Sequence, residues 1–218
     1  MRFVAEAGRV DRIAKGRGRW GVDPVDGWLA LERLRWTPFL QSRRMVVVNL
    51  PEFVLRAYEV ADDGRVQLAL ESRVVVGRAL DTRTPLFDED MRFIEFSPYW
   101  NVPPSIVKAE NLPGMRKNKN YLASKNMEIT IPGDVPTVRQ LPGAANSLGL
   151  VKFLFPNAYN IYLHDTPGKH LFAKQNRSLS HGCIRLGDAR KMAGYLLRND
   201  TSWTAIKIDT AMQQQKEK

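Results

Sequence analysis

The amino-acid sequence predicts a mostly β domain with a few helices, interrupted by one inserted segment of short helices. Three observations predict it. Short runs rich in Val, Leu, Ile and Phe, with turn residues between them, fill residues 44–77 and 93–96, the pattern of antiparallel strands joined by tight turns. A proline-punctuated stretch at about 98–147 then breaks that pattern. Strand-like runs resume at 150–155 and 160–164, and a helical pattern follows them.

Residues 1–40 read as a lead-in. Arg2, Arg9, Arg12, Lys15, Arg17 and Arg19 are interspersed with glycines, so the first 25 or so residues are expected to be loosely ordered or the remnant of an upstream module. Asp26 is expected to cap a short amphipathic helix, because Trp28, Leu31 and Leu34 recur at helical spacing. The main domain is assigned to 41–208. Its strands begin with Met45–Val48 and Phe53–Tyr58. The turn Asp62-Asp63-Gly64 leads to Val66–Leu70 and then Val74–Val76, giving an antiparallel meander, and Phe93–Phe96 adds another strand.

The 98–147 stretch carries Pro98, Pro103, Pro104, Pro113, Pro132, Pro136 and Pro142. A segment of that length inside a compact domain is either functional or disordered. Trp100, Ile106, Val107, Leu112, Met115, Tyr121 and Leu122 supply apolar anchors, so an ordered insertion is expected, folding back as a lid. Lys108, Arg116, Lys117, Lys119 and Lys125 make it basic, which suits a solvated surface and a substrate-facing one equally. Asp188 is expected to start a helix, Trp203–Ile208 to form a last strand, and residues 209–218 to be a polar tail that frays.

The 218 residues bound the chain to one sizeable core plus an appendage. Lys and Arg number 33 against 23 Asp and Glu, a formal charge of +10, which favours anionic partners such as nucleic acid, anionic lipid or acidic wall polymers. No helix-turn-helix, zinc-finger or RNA-binding aromatic signature is present, so nucleic acid is not expected as a partner. No apolar run of about 18 residues exists, so no membrane-spanning helix is expected. Residues 1–20 lack the apolar core of a secretory signal. That leaves a cytoplasmic protein or a sequence that starts inside a longer precursor.

Chemistry concentrates between Tyr162 and Arg185, which hold all three histidines and the only cysteine. A lone cysteine cannot close an internal disulfide; it is a packing residue or a reactive thiol. A thiol has a pKa of roughly 8.5, and its thiolate is the nucleophile, so a reactive cysteine needs a base or a positive field nearby. His164 ends an expected strand, and Cys183 follows after a polar loop. A chain returning along the same sheet would let His164 take the thiol proton and later deliver it to a leaving amine. Gly182 permits a sharp backbone and close approach of substrate. Backbone N–H groups near Cys183 suit an oxyanion, Arg185 a thiolate or carboxylate, and Ser180 a hydrogen bond within the same loop. The spacing of His164, His170, His181 and Cys183 matches no standard zinc site, and neither a metal nor a cofactor is expected.

His164-Asp165-Thr166-Pro167, followed by Ser180-His181-Gly182-Cys183-Ile184-Arg185-Leu186, closely resembles the active-site signature of the L,D-transpeptidase (YkuD-like) family. That signature is a histidine, a loop, then Ser/Thr-His-Gly-Cys and a short downstream motif. Tyr162 and Phe172 also resemble family positions. Trp100-Asn101-Val102-Pro103-Pro104-Ser105-Ile106 resembles the long Gram-negative subfamily, whose members carry a capping insertion over the active site. The resemblance covers about residues 30–208. It implies a folded antiparallel sheet or β-sandwich with a helical capping segment. It also implies Cys183 as nucleophile and His164 as base and acid, with Tyr162, Ser180, His181, Gly182, Arg185 and Trp100 shaping the site or binding substrate.

The implied reaction cuts a peptidoglycan stem peptide after its third residue, forms a thioester, releases D-Ala, and transfers the acyl group to a second stem peptide, giving a 3→3 cross-link. Donor and acceptor stem peptides are the implied partners, and the periplasm or cell envelope the implied location. Water as acceptor would instead make an L,D-carboxypeptidase or a peptidoglycan hydrolase. From another class, a basic wall-binding or nucleic-acid-binding module, with Cys183 merely packed, would share the same charge.

Overall fold

The structure is a computed structural model that describes residues 2–6 (backbone only), 43–78, 80–131 and 136–214. The helix expected from Asp26, the basic lead-in after residue 6 and the last four residues of the tail lie outside the described residues. The chain divides into two compact units, each assembled from discontinuous segments: 1–92, 155–161 and 174–184 in one, 93–154, 162–173 and 185–218 in the other.

The first unit is built on a sheet in the order β5-β1-β2-β3-β4. β1 (Arg2–Glu6) runs parallel to β2 (Arg44–Asn49) and antiparallel to β5 (Phe87–Asp90). The start of the lead-in is therefore a sheet strand. β2, β3 (Val54–Val60) and β4 (Val66–Gly77) form the antiparallel meander the sequence predicts. Asp62-Asp63-Gly64 does turn the hairpin, with Gly64 at φ +80° and its N–H donating to the Ala61 carbonyl at 2.9 Å. The two runs expected at Val66–Leu70 and Val74–Val76 are one strand. Glu71 and Arg73 continue the ladder opposite Arg56 and Val54, and Arg56 pairs with Glu71 at 2.8 Å.

Five consecutive residues of β2, Met45–Asn49, are buried, so both of its faces are covered. Val46, Val48, Leu55, Val74 and Val75 are fully shielded and anchor this core. β12 (Ser178–Ser180) runs parallel to the end of β4.

The second unit contains an antiparallel sheet in which β10 (Val151–Leu154) lies between β6 (Phe93–Phe96) and β11 (Leu163–His164). A helix begins after Asp188, whose carboxylate accepts from the Lys191 N–H at 2.9 Å; it spans Ala189–Leu197 and buries Ala189, Met192 and Ala193. Trp203–Ile208 is not a strand. Thr204 Oγ1 accepts from the Lys207 N–H at 3.2 Å, capping a helix over Ala205–Gln213 that buries Ile208, Ala211 and Met212. The alternation Ile206-Lys207-Ile208 imitates a strand, but Ile206 is exposed, and burial at positions three and four apart, Ile208, Ala211 and Met212, decides the helix. That helix also occupies 209–213, where a polar tail was expected. Ser97 Oγ donates to the Ala211 carbonyl at 3.0 Å, satisfying one of the helix's terminal acceptors, and Trp203 stacks on Phe96 at 5.0 Å.

The 98–147 segment is ordered wherever it is described. Helical turns run through Pro104–Ile106, a π-helical turn Val107–Asn111, and Leu112–Lys117, followed by Tyr121–Ser124. It also holds a small sheet that the sequence did not disclose, with β9 (Thr137–Gln140) between β7 (Trp100–Asn101) and β8 (Met127–Thr130). Val102, Ile106 and Val138 form its core, with Trp100, Val107, Leu122 and Met127 packed around them. Leu112, expected as an anchor, is instead exposed.

Candidate active site

Cys183 closes a tight turn after β12 in the first unit. Ser180 Oγ donates to the Cys183 carbonyl at 2.6 Å and accepts from the Gly182 N–H at 3.1 Å, so one buried hydroxyl fixes the turn from both ends. Gly182 sits at φ +118°, a region that penalises any side chain. A Cβ there would meet Ile161 Cδ1 at 3.1 Å. Two threonines hold the turn from outside. Thr82 Oγ1 donates to the Ser180 carbonyl at 2.9 Å and Thr84 Oγ1 to the Gly182 carbonyl at 2.7 Å. Gly77, at the end of β4, must lack a side chain, because a Cβ would fall 2.0 Å from the Thr82 carbonyl oxygen. Upstream, the buried Arg177 donates to the carbonyls of Val74, Lys174 and Phe53 at 2.8–3.1 Å. Desolvation and the neighbouring Arg73 both lower its pKa.

The Cys183 thiol is half-buried and donates to the Asn160 carbonyl at 3.8 Å. Asn160 itself stands at φ +53°, a conformation asparagine tolerates. Asn157 holds this loop: its Nδ2 donates to the carbonyls of Phe155 and Ile161, each at 2.7 Å, and its Oδ1 accepts from the N–H groups of Tyr159 and Ile161 at 3.0 and 3.1 Å. These local bonds keep residues 160 and 161 out of the strand expected over 160–164, which is confined to Leu163–His164.

His164 lies in the second unit and is 4% exposed. Its Nδ1 contacts the Asp165 carbonyl oxygen at 2.5 Å. A carbonyl only accepts, so the proton sits on Nδ1 and the Nε2 lone pair is left as a base. The supporting backbone is fixed in turn. The Asp165 carboxylate accepts from the Leu150 N–H at 3.0 Å and pairs with Lys169 at 2.6 Å. Gly149, at φ +64°, leaves it room, since a Cβ there would lie 2.4 Å from Asp165 Oδ2. Burial, reinforced by the Arg185 charge, lowers the His164 pKa from 6.5 to about 4, so the ring is neutral at pH 7. The Tyr162 ring stands edge-on to it at 5.7 Å.

The expected site residues thus divide between the units. Ser180, His181, Gly182 and Cys183 belong to the first, and Trp100, Tyr162, His164 and Arg185 to the second. His181 is exposed. Trp100 packs on the small core of the inserted segment. Sequence reasoning missed Thr82, Thr84, Asn157 and Arg177, and it quoted Asp165 within the motif without giving it a role. The threonines touch residues 98 positions away and left no local signal. Asn157 had one, because asparagine directly after a proline, Pro156, is a turn former. Among the described residues, no group of three or more His, Cys, Asp or Glu is placed to hold a metal ion.

A neutral imidazole with a free Nε2, and a thiol on a rigid turn, are the parts that nucleophilic acyl transfer uses. Known proteins point the same way. The chain is 33% identical over 202 residues to a Haemophilus influenzae protein named "Putative L,D-transpeptidase", a match covering 85% of this chain and 39% of that protein. The chain therefore spans about two fifths of that relative's length. Residues 43–208 match the YkuD family, described as the L,D-transpeptidase catalytic domain. Its signature turn, its buried histidine and this match over most of its length make the chain a member of the YkuD family of L,D-transpeptidase catalytic domains.

Proposed function

We propose that this chain cross-links peptidoglycan stem peptides at the bacterial envelope through a thioester on Cys183. The family acts on peptidoglycan. In the proposed reaction His164 Nε2 takes the thiol proton as sulfur bonds to the carbonyl carbon of the donor's third residue. Backbone N–H groups beside Cys183 hold the oxyanion. The carbon–nitrogen bond to D-Ala then breaks, and the proton passes to the departing amine. A side-chain amine of a second stem peptide attacks the thioester, releasing the thiol and leaving a 3→3 cross-link.

The observation that carries this reading is the seat of the chain's one thiol: half-buried, directly after a positive-φ glycine, on a turn held by Thr82 and Thr84. The inserted segment, with Lys108, Arg116, Lys117, Lys119 and Lys125 exposed, is assigned the binding of the anionic stem peptide. Each exposed ion pair adds little energy by itself.

Incubation with a purified disaccharide-tetrapeptide, followed by mass spectrometry, tests the proposal. The expected products are a dimer joined through third residues and free D-Ala, with a transient acyl mass on Cys183. Only free tripeptide would reassign the chain to hydrolysis, and no product together with an inert thiol would reject the enzyme reading.

A further inference from the structure

His164 is one member of a row that crosses its sheet. β10 pairs with strands on both sides, and the register sets Lys152 opposite His164 on β11 and opposite Glu95 on β6. Directly opposed residues of antiparallel strands project to the same face. Lys152 Nζ reaches both oxygens of Glu95, at 2.9 and 2.7 Å, and the two side chains are only 14% and 16% exposed. The same ammonium lies 5.5 Å from the centroid of the Tyr162 ring, the ring that stands edge-on to His164. A mostly buried ion pair is weak evidence for stability, because desolvation offsets much of the attraction. Its place beside the candidate base suggests a different role.

We propose that Glu95 and Lys152 are positioning residues whose paired charges set how strongly His164 holds a proton, an inference that rests on the reading of His164 as base and acid. The groups bearing on His164 come from several elements. Burial is the largest influence. Arg185 on the strand Ile184–Leu186 and Lys152 on β10 oppose the imidazolium, while the adjacent Asp165, itself paired with Lys169, favours it. Tyr162 covers one side of the ring. Within this set the Glu95–Lys152 pair is adjustable, because Glu95 tempers the Lys152 charge from β6, on the opposite side of β10 from His164. A weakly held proton is given up faster to a departing amine, which is the second half of the acid–base cycle.

A charge swap, Glu95→Lys with Lys152→Glu, tests this. It keeps an ion pair between β6 and β10 but puts a carboxylate opposite His164. The expected result is a rise in the His164 pKa of about one unit or more, read by NMR of the imidazole nitrogens, with the acid limb of kcat/KM moving upward alongside. Lys152→Met should move His164 the same way by less, and Glu95→Gln should move it downward, each at a retained circular dichroism spectrum. A swap that leaves the titration unchanged, or single variants that alter only the melting temperature, would overturn the proposal and leave the pair structural. The titration needs no turnover. An unreactive Cys183 would therefore count against the proposed function, whereas an unmoved His164 would count against this inference alone.

Discussion

Acidifying the protein from pH 7 to pH 4 should cost it about 3 kcal/mol of stability through His164 alone. The ring is 4% exposed in the folded chain, and burial pushes its pKa down to about 4 from the ordinary 6.5. That difference of about 2.5 units, at about 1.4 kcal/mol each, is worth about 3.5 kcal/mol in full, of which about 3 kcal/mol is lost by pH 4. The sign follows from which state binds the proton first. Below pH 6.5 the unfolded chain protonates its histidine while the folded chain does not, so stability falls as pH falls. The contribution is complete above about 6.5, declines between 6.5 and 4, and changes no further once the folded ring also charges. Against a typical domain stability of about 5–15 kcal/mol, this is a substantial loss.

Urea unfolding at pH 7, 5.5 and 4 measures it, with His164→Gln as reference, because glutamine cannot titrate. The wild-type curve should lose about 3 kcal/mol more than the reference over this interval. NMR of the ring should also find Nδ1 protonated at pH 7. A folded-state titration near 6.5, or parallel stability curves for the two proteins, would refute the claim that burial and Arg185 keep the ring neutral.

Other perturbations test the Cys183 turn. Cys183→Ala should fold with stability within about 1 kcal/mol of the wild type, since the thiol is half-buried; a carbapenem-type β-lactam should add its mass to the wild type and not to this variant, as intact mass spectrometry would show. Gly182→Ala should lose about 1–3 kcal/mol, because it forces a side chain to φ +118° against Ile161; denaturant unfolding reads the loss, and thiol labelling should slow. Asn157→Ala removes the side chain that makes four hydrogen bonds in its loop and should cost about 2 kcal/mol, with a changed labelling rate at Cys183 because the Asn160 carbonyl is released.

The sequence by itself determined whatever depends on near neighbours. Alternating apolar residues with Asp63-Gly64 between them specify the β3–β4 hairpin. Asp188 announces its helix, because an N-cap acts within one turn. The Ser180-His181-Gly182-Cys183 turn is legible for the same reason: the bonds that shape it from within, from Ser180 Oγ to Gly182 and Cys183, span at most three residues. Even Trp203–Gln213 carried its answer, in Thr204 as cap and in the spacing of Ile208, Ala211 and Met212, although its alternating start imitates a strand.

Tertiary structure alone decided which distant groups complete the site. Thr82 and Thr84 meet the Cys183 turn across 98 residues of chain, and Lys152 meets Glu95 across 57. No local period encodes such pairs: strand register, a property of the assembled sheet, sets Lys152 against Glu95, and the threonines reach the turn from the loop between β4 and β5. The protonation state of His164 belongs to the same class. The residue type offers a base near neutrality, but only folding supplies the burial, the Asp165 carbonyl and the Arg185 charge that keep the proton on Nδ1 and leave Nε2 open.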